Sequence, residues 1–103
     1  MTYQLVFQFK GESLADFDMM VSLEEKMIDQ IGNLGEVDGH DMGHGEINIF
    51  VITEEPLAAF LPMKSVLENL NLLSEVRVAY RNIESESFIV VWPENSNLEF
   101  SVT

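Results

Sequence analysis

Both histidines of the chain fall in one short stretch, GHDMGHGEINIF, residues 39–50. Within it His40, Asp41, His44 and Glu46 offer two imidazoles and two carboxylates, a donor set suited to zinc or a similar ion. A histidine beside carboxylates can also serve as a general base. The spacing, however, matches no standard ligand motif. Gly43 and Gly45 flank His44 and place it on a loop tip, while alternation along a strand sends Asp41 to the face opposite His40. No serine occupies a nucleophile elbow, and G-H-D-M-G-H-G lacks the Lys-Ser/Thr ending of a phosphate loop. The expectation is a hairpin shaped by glycine, with no catalytic residue, no metal and no cofactor. Should a metal be found, His40, Asp41, His44 and Glu46 are the ligands to test.

Arg77 and Arg81 are the second chemical feature. They lie four residues apart on a strand, share one face, and are two of only five basic residues. Guanidinium groups so placed can take a carboxylate or a phosphate. Pairing with cross-strand acids is the expected state, with Glu86 near the following strand as partner.

These residues need elements to hold them. Residues 3–9, YQLVFQF, alternate as a strand, with Tyr3, Leu5, Phe7 and Phe9 one way and Gln4, Val6 and Gln8 the other. Residues 13–32 carry a helical stripe of Phe17, Met20, Val21, Met27, Ile28 and Ile31, with Ser13 as N-cap and Gly32 as stop. Met19 and Met20 are expected to fill gaps in the core. Residues 37–42 and 47–52 form a hairpin around the glycines. INIFVI is apolar almost throughout and reads as a central strand; the preceding strand is broken by Gly39 and suits an edge.

Residues 53–73 read as a second helix, opened by Thr53, Glu54 and Glu55 with Pro56 in the first turn. Its expected buried stripe is Leu57, Phe60, Leu61, Val66, Leu67 and Leu70. Pro62 is expected to kink or restart it, because the ring removes a backbone donor and collides with the previous turn. Residues 74–81 form a strand with Val76, Val78 and Tyr80 on one face and Arg77, Ala79 and Arg81 on the other. Residues 88–93, FIVVWP, form a fifth, ended by Pro93. The polar tail, residues 94–103, has a short alternation at Leu98, Phe100 and Val102 that suits an edge strand or irregular chain.

The order β-α-β-β-α-β-β describes one α+β domain over residues 1–103. Two right-handed crossovers joined by a hairpin give a ferredoxin-like α/β sandwich, β-α-β-β-α-β with an added C-terminal strand. Both helices then cover one face of an antiparallel sheet. The other face would carry Gln4, Val6, Gln8, Arg77, Ala79 and Arg81 without helical cover. A three-residue loop, Gly43-His44-Gly45, sets His40 opposite Asn48 and Asp38 opposite Phe50. That register keeps Asp38 and His40 out of the core, where they would lack partners. Asp38, His40, Asn48, Arg77 and Arg81 are therefore the binding candidates, gathered on the open face.

EVDGHDMGHGEINIFVITEEP, followed by VAYR and then FIVVWP, resembles a family of small bacterial proteins of about this length. In that family a D-G-x-D-x-G-x-G-E-x-N-I-F pattern precedes the second helix and a W-P pair closes the last strand. The likeness spans most of the chain. It implies the fold, and no activity or site residue.

Composition narrows the function classes. Eighteen acids face five bases, a formal net charge of −13. Such a surface repels nucleic acid and anionic membranes and favours cationic partners; the plainer reading is that it keeps the protein soluble. The absence of cysteine excludes disulfides, thiolate metal sites, iron–sulfur clusters and a cysteine nucleophile. No run approaches the ~18–20 apolar residues of a membrane span. MTYQLVFQFKGE does not read as a signal peptide, so the cytoplasm is the expected location. The leading expectation is a non-enzymatic acidic protein-interaction module of the antitoxin, immunity or adaptor kind, with a protein partner or self-association. A ligand-binding or regulatory ferredoxin-like homodimer is the alternative, and a metal-dependent enzyme the third.

Overall fold

The computed structural model describes residues 1–10, 17–43, 45–94, 100 and 102. Its strands are β1 (Tyr3–Lys10), β2 (Glu36–Gly43), β3 (Glu46–Thr53), β4 (Val76–Asn82) and β5 (Ile89–Trp92); its helices are α1 (Phe17–Ile31) and α2 (Pro56–Asn69). The elements follow the expected order, β1-α1-β2-β3-α2-β4-β5. The sheet runs β2-β3-β1-β4-β5, with every neighbouring pair antiparallel. Both helices pack on this sheet, an α+β arrangement compatible with a ferredoxin-like sandwich. Ser13, the expected cap of α1, lies outside the described residues.

β1 sits in the middle because it can bury both of its faces. Leu5, Phe7 and Phe9 point into the helix-covered core with Ile47, Ile49 and Val51 of β3 and Val76 and Val78 of β4. Phe7, Phe60 and Trp92 continue the core in a line, with successive ring centres 6.4 Å apart. The indole N–H of Trp92 donates to the Leu73 carbonyl at 3.0 Å and fastens the short β5 edge.

The helices bury most of their expected stripes, with local exceptions. α1 buries Met20, Leu23, Met27 and Ile31, while Met19 and Ile28, both expected inside, are exposed. α2 buries Pro56, Ala59, Phe60, Met63, Val66 and Leu67. Leu57 and Leu61 are 59% and 64% exposed, which corrects their place in the buried stripe. Periodicity weighted by residue size prefers a leucine to an alanine or a proline; here the small Ala59 is fully buried. α2 also runs unbroken through Pro62, with no restart. Its ring leaves only the Ala58 carbonyl without the usual helical donor.

The hairpin departs from its expected register, and the departure moves side chains between faces. β2 ends at Gly43 and β3 begins at Glu46, and these two residues stand opposite each other, the register of a two-residue connection. Gly45 has φ +75°, the left-handed conformation that such turns favour in glycine. Met42 then faces Ile47, Asp41 faces Asn48 and His40 faces Ile49. Each of these residues is one step from the three-residue register, so each points to the opposite face. A bulge restores the phase. Asp38 is the extra residue between Val37 and Gly39, and Val37 returns opposite Val51. Gly39, at φ +119°, supplies the conformation the bulge needs.

Candidate functional site

The sheet face away from the helices carries the polar chemistry. Gln8 of β1 lies between Asn48 of β3 and Arg77 of β4 in one cross-strand row. Gln8 Nε2 donates to Asn48 Oδ1 at 3.0 Å, and Arg77 Nη2 donates to Gln8 Oε1. Arg77 also pairs with Glu46 at 3.6 Å. Gln8 and Asn48 are only 2% and 1% exposed, so their amides depend on one another. Asn48 and Arg77, both expected on this face, are thus joined through Gln8. The carboxylate that Arg77 takes belongs to Glu46, which corrects the expectation of Glu86.

A second row of the same kind lies four residues away. Gln4 of β1 stands opposite Arg81 of β4 and Ile52 of β3. Arg81 Nε donates to Gln4 Oε1 at 3.0 Å. Its Nη1 donates to the carbonyls of Ile83 and Ser85, at 3.1 and 2.8 Å, which pins the loop before β5. Among the described residues no carboxylate comes within ion-pair distance of Arg81. Gln4, Phe50, Arg81, Glu86, Phe88, Phe100 and Val102 line a solvent-open cavity of about 490 Å³.

Two aromatic rings join the rows. Phe88 and Phe100 lie 5.0 Å apart between ring centres. The Arg77 guanidinium stands 5.8 Å from the Phe100 ring and the Arg81 guanidinium 5.9 Å from the Phe88 ring, within cation–π range. This face is therefore partly covered, which corrects the expectation of an open face. Val6 and Ala79, in the row between the two arginines, are fully buried. Phe100 and Val102 of the tail lie over it instead of forming an edge strand; Leu98 lies outside the described residues.

The hairpin candidates separate. His40, expected beside Asn48, faces the helices, and its Nδ1 lies 3.3 Å from both carboxylate oxygens of Glu24 on α1. Asp41 takes the place opposite Asn48. Asp38 is exposed in the bulge rather than opposite Phe50. Glu46 shares its face with Asp41 and not with His40, so the four metal candidates do not converge on one side; His44 lies outside the described residues. The burial argument for the three-residue loop failed because β2 is an edge strand and Glu24 reaches its helix-facing side.

The helix layer presents a different surface. Leu57 and Leu61 lie one turn apart on the outer side of α2. Leu57 shares a depression of about 360 Å³ with Tyr3, Glu54, Glu55 and Tyr80. The sequence reading missed this patch, and it missed Phe50, Phe88 and Phe100 as cavity walls. Only the alternation in the tail hinted at the last of these. Among the described residues no helix is long and apolar enough to cross a membrane.

Compared with protein-family models, curated proteins and solved structures, the chain has no match in any of the three.

Proposed function

We propose that the chain is a non-enzymatic protein-interaction module of ferredoxin-like fold, and that it docks a basic protein through the outer side of α2. The observation that carries this reading is the exposed pair Leu57 and Leu61 within an acidic border. Glu54 and Glu55 stand at the Leu57 end, and Glu68 follows two turns after Leu61; all three are exposed. Lys64, the one basic residue of α2, turns its ammonium onto the Trp92 ring at 4.8 Å. An apolar centre with an acidic rim on a chain of net charge −13 complements a partner with an apolar centre and a basic rim.

The likeness to small bacterial proteins with a D-G-x-D-x-G-x-G-E-x-N-I-F hairpin belongs to the same proposal. The positive φ of Gly39 and Gly45 supports a shaping role for the glycines of that pattern.

The test is affinity capture at low and high salt with the native chain and with a Leu57→Asp, Leu61→Asp double variant. The expected result is one basic protein, reconstituted from purified components, that is lost with the double variant and weakens as salt rises. Equal capture by both chains, or no partner at any salt, overturns the reading.

A further inference from the structure

The two glutamine–arginine rows on the sheet face differ in the groups that β3 offers them, and the difference specifies a ligand. Moving four residues along each strand carries Arg77 to Arg81, Gln8 to Gln4 and Asn48 to Ile52. The same step carries Glu46 to Phe50. On the first row Glu46 gives Arg77 a carboxylate at 3.6 Å. On the second, the equivalent place holds an aromatic ring, and that ring lines the cavity beside Arg81. We propose that this cavity binds a small organic carboxylate with an apolar or aromatic body, the carboxylate taking the place on Arg81 that Glu46 takes on Arg77.

The donors are already set. Arg81 Nε and Nη1 are engaged with Gln4 and the two loop carbonyls, which fixes the plane of the guanidinium. Arg81 Nη2 and Gln4 Nε2 have no acceptor among the described residues. Among the described residues no buried side-chain nitrogen or oxygen lacks a partner, so these two half-buried groups reach solvent. A fixed guanidinium edge and an amide N–H on one wall are the recognition elements of a carboxylate. Phe50, Phe88, Phe100 and Val102 supply apolar walls for the body. The volume of about 490 Å³ falls in the range of small-molecule sites. Glu86 also stands on the cavity, beyond ion-pair distance of Arg81, and its charge opposes an entering anion.

The experiment titrates the full-length, isotope-labelled chain with 3-phenylpropionate, its primary amide, and a short peptide ending in phenylalanine, followed by heteronuclear NMR. The acid is expected to shift the Arg81 Nε–H signal and the backbone amides of the loop before β5. The neutral amide should bind roughly 10- to 100-fold more weakly, the loss of a charge-assisted hydrogen bond. A free acid as ligand predicts that the peptide binds less well than 3-phenylpropionate; tighter peptide binding assigns the carboxylate to a chain terminus instead. Phe50→Glu places an internal carboxylate where Glu46 stands on the other row, and it should abolish acid binding in a chain whose spectrum is otherwise native. Glu86→Gln should tighten binding. His40→Gln, on the helix-facing side of the sheet, should leave the affinity within about twofold. No shift up to millimolar acid, equal binding of acid and amide, or unchanged binding by Phe50→Glu overturns the proposal.

Discussion

Two rows of the same sheet face contain the same pair of residues and do different things with it. Gln8 and Arg77 belong to a closed network: a buried asparagine on one side, a carboxylate for the arginine, and the Phe100 ring near it. Gln4 and Arg81 belong to an open one: apolar Ile52 and Phe50 replace the asparagine and the glutamate, and a cavity takes the remaining space. The residue types alone do not separate structure from site here. What separates them is the third strand. Polar groups on β3 satisfy one row and turn it into part of the fold, whereas apolar groups on β3 leave the other with spare donors facing water. A buried polar network stabilises only when its members are all paired, and an unpaired but accessible one is available to a ligand.

The largest expected effect tests this division directly. Gln8→Leu removes the hydrogen-bond partner of a buried asparagine and one acceptor of Arg77, and should cost about 2–3 kcal/mol of stability. Gln4→Leu makes the same chemical change four residues away. There Arg81 keeps its two carbonyl partners and reaches water, so the cost should stay below about 1 kcal/mol. Urea unfolding of the two variants measures both. Equal losses would mean that the rows are equivalent and that the open one is as structural as the closed one.

The next effect concerns the register that puts Asn48 and Phe50 in their rows. Gly45→Val forces a β-branched residue to φ +75° and should cost on the order of 1–3 kcal/mol. Gly43 has no positive φ, and a side chain there would enter open space, so Gly43→Val should change stability by no more than about 0.5 kcal/mol. The three-residue loop would have placed both glycines in the turn. Comparable losses at the two positions, measured by the same unfolding titration, would favour that loop and dissolve the assignment of Asp41 to the row of Asn48.

How much of this was legible follows from what each residue depends on. Strand alternation placed Gln4, Val6, Gln8, Arg77, Ala79 and Arg81 on one face, because period two is a property of the local backbone. It could not reveal that Glu46 completes Arg77, since that contact crosses strands diagonally and depends on the hairpin register. The register in turn depends on a one-residue choice of loop length and on a bulge at Asp38, two local irregularities that cancel at Val37 and leave little trace in the pattern. The cover over Val6 and Ala79 was hidden for a different reason. Phe100 and Val102 sit in a polar tail, and where a tail folds is decided by the surface it meets. On α2 the stripe was found in Phe60, Val66 and Leu67 but misjudged in its first turns, because Ala59 carries less weight in a hydrophobic pattern than Leu57 or Leu61.

The smallest expected effect belongs to the contact that joins β2 to the helix layer. His40 and Glu24 approach to 3.3 Å, but their side chains keep 30% and 15% of their exposure. They sit at the edge of the sheet, where water reaches both partners and screens their attraction. Neither resembles the amide pair of Gln8 and Asn48, whose solvent is gone. A double-mutant cycle with His40→Gln and Glu24→Gln should therefore give a coupling of no more than about 1 kcal/mol at neutral pH, falling as salt is added. His40→Gln alone should stay within about 0.5 kcal/mol, because an amide can keep a hydrogen bond to the Glu24 carboxylate. A coupling above about 2 kcal/mol would place this pair with the closed row, as a desolvated contact on which the fold depends. The helix-facing side of β2 would then be sealed from water in the way that the row of Gln8 and Asn48 is.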